Sequence, residues 1–391
     1  MVAVSARAAA RLRDGHVWVY RSDVTDPGTA SAGSLVTVKD HRGKPLGAAL
    51  YSSSSQIALR MVANRPLASR AEWLTLLRQR VAAAVAYRKE LVKDSDAYRV
   101  LFSEADLLPG VIADRYNDVL TLQALTQAMD ADDLRSAVVD ELVTQTGVAN
   151  VVERVEPRIR ELEALPAKDS GLLRGTKTET AFTLNGLKFA YQALGGQKTG
   201  AFLDQRENYA AAARHARGRA LDVFCYEGGF ALHLARVCES VTGVDSSLPA
   251  LEAAERNQKL NEPAVREIEW LEANAFDLLK DYSTAGEQFD TIVLDPPAFA
   301  RSKRTLETAI RGYKELNLRA LKMLKSGGVL VTCSCSHHVS EADFLAMLAA
   351  AAADAHRNLR LIEKRGAAQD HPMLLSVPET AYLKCVVGTA L

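Results

Sequence analysis

Several short stretches of this chain place reactive or hydrogen-bonding side chains directly after apolar runs. The earliest is Leu221-Asp222-Val223-Phe224-Cys225-Tyr226-Glu227-Gly228-Gly229-Phe230. Asp245 closes a second run and Asn274-Ala275-Phe276-Asp277 follows a third. Asp295-Pro296-Pro297-Ala298-Phe299 ends a fourth, and Thr332-Cys333-Ser334-Cys335-Ser336 a fifth. Apolar runs that end in polar punctuation read as buried parallel strands, whose carboxyl edges are where an α/β sheet keeps its chemistry.

The glycine pair at 228 and 229 lets the backbone come close to a ligand where a Cβ would collide. The loop has no G-x-x-x-x-G-K-[ST] pattern, hence no phosphate cradle, and no full G-x-G-x-x-G. Asp222 in the strand end would repel a pyrophosphate and suits a cationic ligand, such as the methionine portion of S-adenosylmethionine. Phe224, Tyr226, Gly228 and Gly229 belong to the same cofactor loop. Asp245 stands where a doubly wound fold binds ribose hydroxyls, or caps the next helix with Ser246-Ser247. Asn274 and Ala275, with Phe276, either read the adenine edge or start a helix.

Two prolines cannot donate ladder hydrogen bonds, so Pro296 and Pro297 force the chain out of the sheet and hold Asp295 and Phe299 over the crevice. One fixed acceptor beside one aromatic face is suited to presenting a planar base. Carbon 5 of a pyrimidine is too weak a nucleophile to attack a methyl donor unaided. A thiolate adding to carbon 6 makes it an enamine or enolate, after which carbon 5 can take the methyl group. Cys335 lies further toward the loop than Cys333 and is the better nucleophile, although a strand cysteine is also ordinary packing. His337 and His338 follow, as pKa modulators, as a base, or as plain loop residues. Gly200 to Arg206 supplies polar groups, Gln205 among them, to the cofactor's amino-acid end or caps a helix over 204–216.

The elements that must position these residues are α/β from about Leu187. Apolar runs at 220–224, 241–244, 268–271, 291–294 and 329–332 alternate with helical stretches such as Leu248–Leu260 and Tyr313–Leu324, the pattern of a mostly parallel sheet. Before that, strands at 35–38, 46–51 and 57–61 make a small β-rich module. A helix from Trp73, a hairpin over 111–124 turning at Asn117-Asp118, a helix capped by Asp130 and a strand at 150–153 make an α+β region. The expected division is 1–72, 73–185 and 186–391. With 391 residues the chain exceeds one ordinary core. The N-terminus lacks an apolar stretch with a cleavage site, so no secretory signal is expected. Five cysteines, odd in number and not in metal-site spacing, fit a reducing cytoplasm and no metal. Residues 1–70 carry a net charge of +6 within a chain whose total is zero, which points to a polyanion such as nucleic acid at that end.

Taken together, these stretches resemble the class I S-adenosylmethionine-dependent methyltransferases that make 5-methylcytosine in large-subunit (23S) ribosomal RNA. The resemblance rests on Gly196-Gln197-Lys198-Thr199-Gly200, Phe202-Leu203-Asp204-Gln205-Arg206, Tyr226-Glu227-Gly228-Gly229-Phe230, Asp295-Pro296-Pro297, Arg311-Gly312-Tyr313-Lys314, Ser334-Cys335-Ser336 and Asp370-His371-Pro372, with Arg115-Tyr116 after Leu108-Pro109-Gly110. It implies an N-terminal PUA-like domain, a central α+β domain and a Rossmann-like methyltransferase domain. It further implies Cys335 as nucleophile, Asp295 as its catalytic partner, Lys198 and Gln205 near the cofactor, and Pro296, Pro297, Phe299 and Arg301 against the substrate. The partner would be 23S ribosomal RNA or an assembly intermediate, with no membrane; a homodimer is left open. Asn274 stands where the family usually has Asp, and Cys333 where it often has Phe. Methylation of an exocyclic amine of adenine or guanine is the rival chemistry, and a non-catalytic RNA-binding assembly factor the rival class.

Overall fold

The strands expected near the N-terminus form over Leu35–Lys39, Pro45–Tyr51 and Ile57–Ala63. They join Val2–Val4, Trp18–Tyr20 and Val24–Asp26 in a six-stranded sheet around a core of Val2, Val4, Val19, Val38, Ala49 and Leu59. In this computed structural model, which describes residues 1–195, 201–300 and 302–391, that sheet shares one compact unit with the central α+β region. There, five strands between 97 and 174 are backed by helices Arg70–Leu91 and Asp132–Thr146 through Trp73, Leu77, Val81 and Leu142. Asn117 takes the positive φ of 50° that the hairpin turn requires.

Asp130 does not cap the following helix, whose N-cap is Ala131 without a side-chain bond. Its carboxylate instead meets Arg160 at 2.8 Å, a charged partner outcompeting neutral amides. The basic excess of the N-terminal module is largely spent within this unit. Arg7 and Arg11 pair with Asp23, Arg13 with Asp40, Arg60 with Glu104 and Glu163, Arg65 with Glu72 and Arg70 with Asp133. Residues Gln369–Thr380 also belong to this unit. Here Asp370 accepts from the buried Arg88 guanidinium through its carbonyl and from the Arg99 amide through its carboxylate.

The second unit comprises Thr183–Ala190, Ala201–Ala368 and Ala381–Leu391. Its sheet contains β1 (Arg219–Val223), β2 (Ser240–Asp245), β3 (Ile268–Glu272), β4 (Phe289–Leu294), β5 (Leu324–Ser334), β6 (Leu359–Arg365) and β7 (Lys384–Ala390). Their order is β3-β2-β1-β4-β5-β7-β6, parallel except for β7, which runs antiparallel to both β5 and β6. The antiparallel pair at 359–390 is not visible in the apolar runs, because β6 is mostly exposed and charged, as a sheet edge should be. Helices α1 (Arg206–His215), α2 (Gly229–Leu234), α3 (Leu248–Lys259), α4 (Ala275–Ala285), α5 (Leu306–Met323) and α6 (Glu341–Asp354) connect the strands. The core joins Leu221, Val223, Ile292, Leu294, Leu316 and Leu330 across the sheet and α5. The chain leaves β1 toward β2 and β3, then returns to place β4 on β1's other side. The loops after β1 and β4 therefore diverge at the switch point, where an open α/β sheet has its crevice. Among the described residues, no helix is long and apolar enough to cross a membrane.

Candidate active site

The loop after β1 is built from residues in the left-handed region: Phe224 at φ 69°, Tyr226 at 49° and Gly228 at 87°. Two side-chain-bearing residues in that region cost free energy, and such strain is retained where the loop must present a surface. Asp245 holds the loop in place. One carboxylate oxygen accepts from the Tyr226 amide at 3.0 Å and the other from Ser247 at 2.9 Å. A Cβ on Gly229 would stand 2.5 Å from the Tyr209 ring, and one on Gly228 3.0 Å from Trp270, so glycine is what lets this loop pack closely against both rings.

Beneath the loop, Asp222 is fully buried, and among the described residues neither carboxylate oxygen has a hydrogen-bond partner. Burial, then the neighbouring charge of Asp295, push its pKa well above the ordinary carboxylate value. A buried carboxyl without a partner is costly unless a cation or donor meets it.

Asn274 caps α4, its side-chain oxygen accepting from Phe276 and Asp277, so the helix-start reading holds and that oxygen is engaged. Ala275 is buried in the first turn, while Phe276 is 39% exposed, its ring centre 6.0 Å from that of Phe299. Phe299 in turn leans on Tyr313 at 4.7 Å.

Register pairs Asp222 with Val293 and Val293 with Val331. Alternation carried past the strand ends puts Asp222, Asp295, Cys333 and Cys335 on one face of the sheet. Asp295 accepts from Gln205 Nε2 at 2.9 Å. Burial, then the charge of Asp204, raises its pKa to about 7 against the opposing bonds from Gln205 and the Cys333 thiol. Gln205, expected at the cofactor's amino-acid end, is thus committed to Asp295 on one side and accepts from Asn208 on the other. Pro296 is buried, whereas Pro297 and Ala298 face solvent. Cys333 is fully buried with its pKa raised by that burial and by Cys385, its cross-strand partner.

Cys335 is the one cysteine of the five that is not buried, with Sγ 3.9 Å from the Pro296 carbonyl oxygen. Its flanking serines turn to the opposite, fully buried side. Ser336 Oγ meets the Tyr313 hydroxyl at 2.9 Å and accepts from the Ala300 amide at 3.2 Å, tying the β5 end to the loop after β4. His337 and His338 are exposed. Lys198 and Arg301 lie outside the described residues, as does the stretch 196–200.

Sequence reasoning missed Lys384, whose ammonium donates to the Ser336 and Tyr382 carbonyls at 2.6 and 2.7 Å. Burial lowers its pKa to about 8, and the Cys335 sulfur pulls it the other way. A lysine within Leu383-Lys384-Cys385-Val386-Val387 was the available signal, since a cation in an apolar strand needs a local reason. Asn208 and Arg365 were also missed. They reach Asp295 only through a chain of contacts between residues far apart in sequence.

Comparison with known proteins gives two family matches: a PUA-like domain over residues 2–64, and an S-adenosylmethionine-dependent methyltransferase model over residues 108–387. The second spans well over half of the chain. The chain belongs to this methyltransferase family. Proteins called Ribosomal RNA large subunit methyltransferase I from Photobacterium profundum and Shewanella amazonensis are 37% and 38% identical to it over 382 and 381 residues, in each case 95% of both chains. The crystal structure of SMU.776 complexed with SAH shares the fold, with a TM-score of 0.83 at 17% identity over 99% of both chains.

S-adenosylmethionine is accordingly the cofactor of this methyltransferase, and the crevice fits it. Asp222, buried at the end of β1 with no hydrogen-bond partner among the described residues, suits a cationic end. The chemistry the cofactor supplies is an electrophilic methyl group.

Proposed function

We propose that this chain methylates carbon 5 of a cytosine in large-subunit ribosomal RNA, acting in the cytoplasm on 23S RNA or an assembly intermediate. The naming of its relatives supports the RNA class, and the PUA-like module supplies a domain suited to gripping it. One observation carries the choice of atom: a partly exposed thiol, Cys335, on the same sheet face as Asp222 and Asp295, 3.9 Å from the carbonyl that follows Asp295.

The Asp222 to Gly229 loop would hold the methionine end of the cofactor, Asp245 its ribose, and Asn274 with Ala275 and Phe276 its adenine. Asp295 would meet the cytosine edge while Pro296, Pro297 and Phe299 shape the slot for the ring. Near neutrality a carboxyl of pKa about 7 is present in both protonation states. It can therefore donate to ring nitrogen 3 while the Cys335 thiolate forms a bond to carbon 6. The electron pair displaced into the ring makes carbon 5 nucleophilic. After methylation, transfer of the carbon-5 proton to water expels the sulfur as thiolate, and nitrogen 3 returns its proton to the Asp295 carboxylate, which restores the ring. The Lys384 ammonium favours the thiolate that starts this sequence.

Asp-Pro-Pro followed by an aromatic also suits amine methylation, which needs no thiol. Incubating 23S RNA from a strain lacking the protein with enzyme and cofactor, then analysing nucleosides by mass and retention, separates the readings. 5-Methylcytidine is expected; N-methyladenosine or N-methylguanosine would refute the carbon-5 assignment.

A further inference from the structure

We infer that Arg365 and Asn208 are positioning residues that act through Gln205 to fix which group meets Asp295. The inference rests on the reading that Asp295 contacts the target base. Carboxamides are nearly symmetric in shape, so a buried Gln or Asn can present either oxygen or nitrogen unless a neighbour decides. Arg365 decides, because a guanidinium only donates. Its Nε donates to Asn208 Oδ1 at 2.8 Å, which turns Asn208 Nδ2 toward Gln205 Oε1 at 2.6 Å and the Gly366 carbonyl at 3.0 Å. Gln205, its oxygen thus occupied, must offer Nε2 to Asp295 Oδ1. Inverting either amide would oppose donor to donor and acceptor to acceptor.

The relay runs from the edge strand β6 through α1 to the end of β4. Its two amides are 1% and 3% exposed, so water cannot substitute for a lost partner. Arg365 is itself anchored by Glu363 at 2.7 Å, with Glu207 at 3.8 Å. One oxygen of Asp295 is thereby kept as an acceptor. That favours the ionised form, as the Cys333 thiol also does, and directs any proton away from Oδ1. Among the described residues, the other titratable groups around Asp295 are Asp204, Asp222, Tyr209 and the Cys333 thiol, all of which the variants below leave in place.

The test is an infrared titration of Asp295 in the full-length protein carrying carboxyl-labelled aspartate, with Asp295→Asn as the reference for assignment. Gln205→Leu removes the direct donor and should raise the midpoint by about one pH unit. Asn208→Leu, neutral and out of contact with Asp295, should move it the same way. Arg365→Met should do likewise, and Arg365→Lys, which restores a donor, should bring it back. A merely structural role would lower thermal stability and leave the midpoint alone. If Asn208→Leu does not fold, the smaller and equally neutral Asn208→Ala carries the test. Wild-type midpoints in the Asn208 and Arg365 variants would overturn the relay. The pH profile of kcat/KM for methylation of 23S RNA tests the underlying reading separately. Infrared midpoints that move while the profile does not would defeat base contact by Asp295 and leave the relay standing.

Discussion

Replacing Asp295 by Asn should stabilise the protein, and by more as the pH rises. The folded chain raises this carboxyl from 3.8 to about 7. Between those values the folded state holds a proton that the unfolded state has lost, so the group makes stability fall as pH rises through the window. At about 1.4 kcal/mol per pH unit, the full cost approaches about 4 kcal/mol above pH 7, an upper bound because the site can relax. Asn is the neutral isostere of the protonated acid and can still accept from Gln205, so it avoids that cost. It also relieves repulsion of Asp222, which acts in the same direction. Urea unfolding can be followed through Trp270, the one tryptophan of the second unit, after Trp18→Phe and Trp73→Phe. The stability gained by Asp295→Asn should be near zero at pH 4 and climb to a plateau above pH 7. A gain independent of pH would refute the reasoning.

Cys335→Ala should abolish methyl transfer while calorimetry shows unchanged S-adenosylmethionine binding; retained turnover would remove the thiol from the mechanism. Lys384→Met should slow iodoacetamide alkylation of Cys335 at neutral pH by about tenfold, with Lys384→Arg close to wild type. The other four cysteines are buried, so the signal reports on this one, and an unchanged rate would contradict the role given to the ammonium. Gly229→Ala, whose Cβ would stand 2.5 Å from the Tyr209 ring, should destabilise by about 1–3 kcal/mol in urea unfolding, and wild-type stability would contradict the close packing assigned to this glycine.

Much of the crevice was legible because parallel strands buried on both faces write themselves as apolar runs, and the polar residues ending those runs mark one sheet edge. Asp222, Asp245, Asp295 and Cys335 were located in this way. What periodicity could not reach is set by contacts between distant residues. Arg365 meets Asn208 across 157 positions, and Lys384 reaches the Ser336 carbonyl across 48. Local alternatives were also settled only in three dimensions. Asn274 does cap its helix, whereas Asp130 leaves its helix uncapped for an arginine. Asp370, part of a motif shared with the resembling family, serves the first unit by receiving Arg88 and Arg99. Family motifs thus mark architecture as well as chemistry.

The central claim is that Cys335 bonds to carbon 6 of a cytosine. Fluorine at carbon 5 cannot leave as the proton does, so the adduct formed on RNA containing 5-fluorocytosine should persist. Incubation of such RNA with enzyme and S-adenosylmethionine, followed by protease digestion and mass spectrometry, should yield a peptide carrying a methylated fluoropyrimidine on Cys335. Unmodified Cys335 peptide alongside turnover on ordinary RNA would contradict the account.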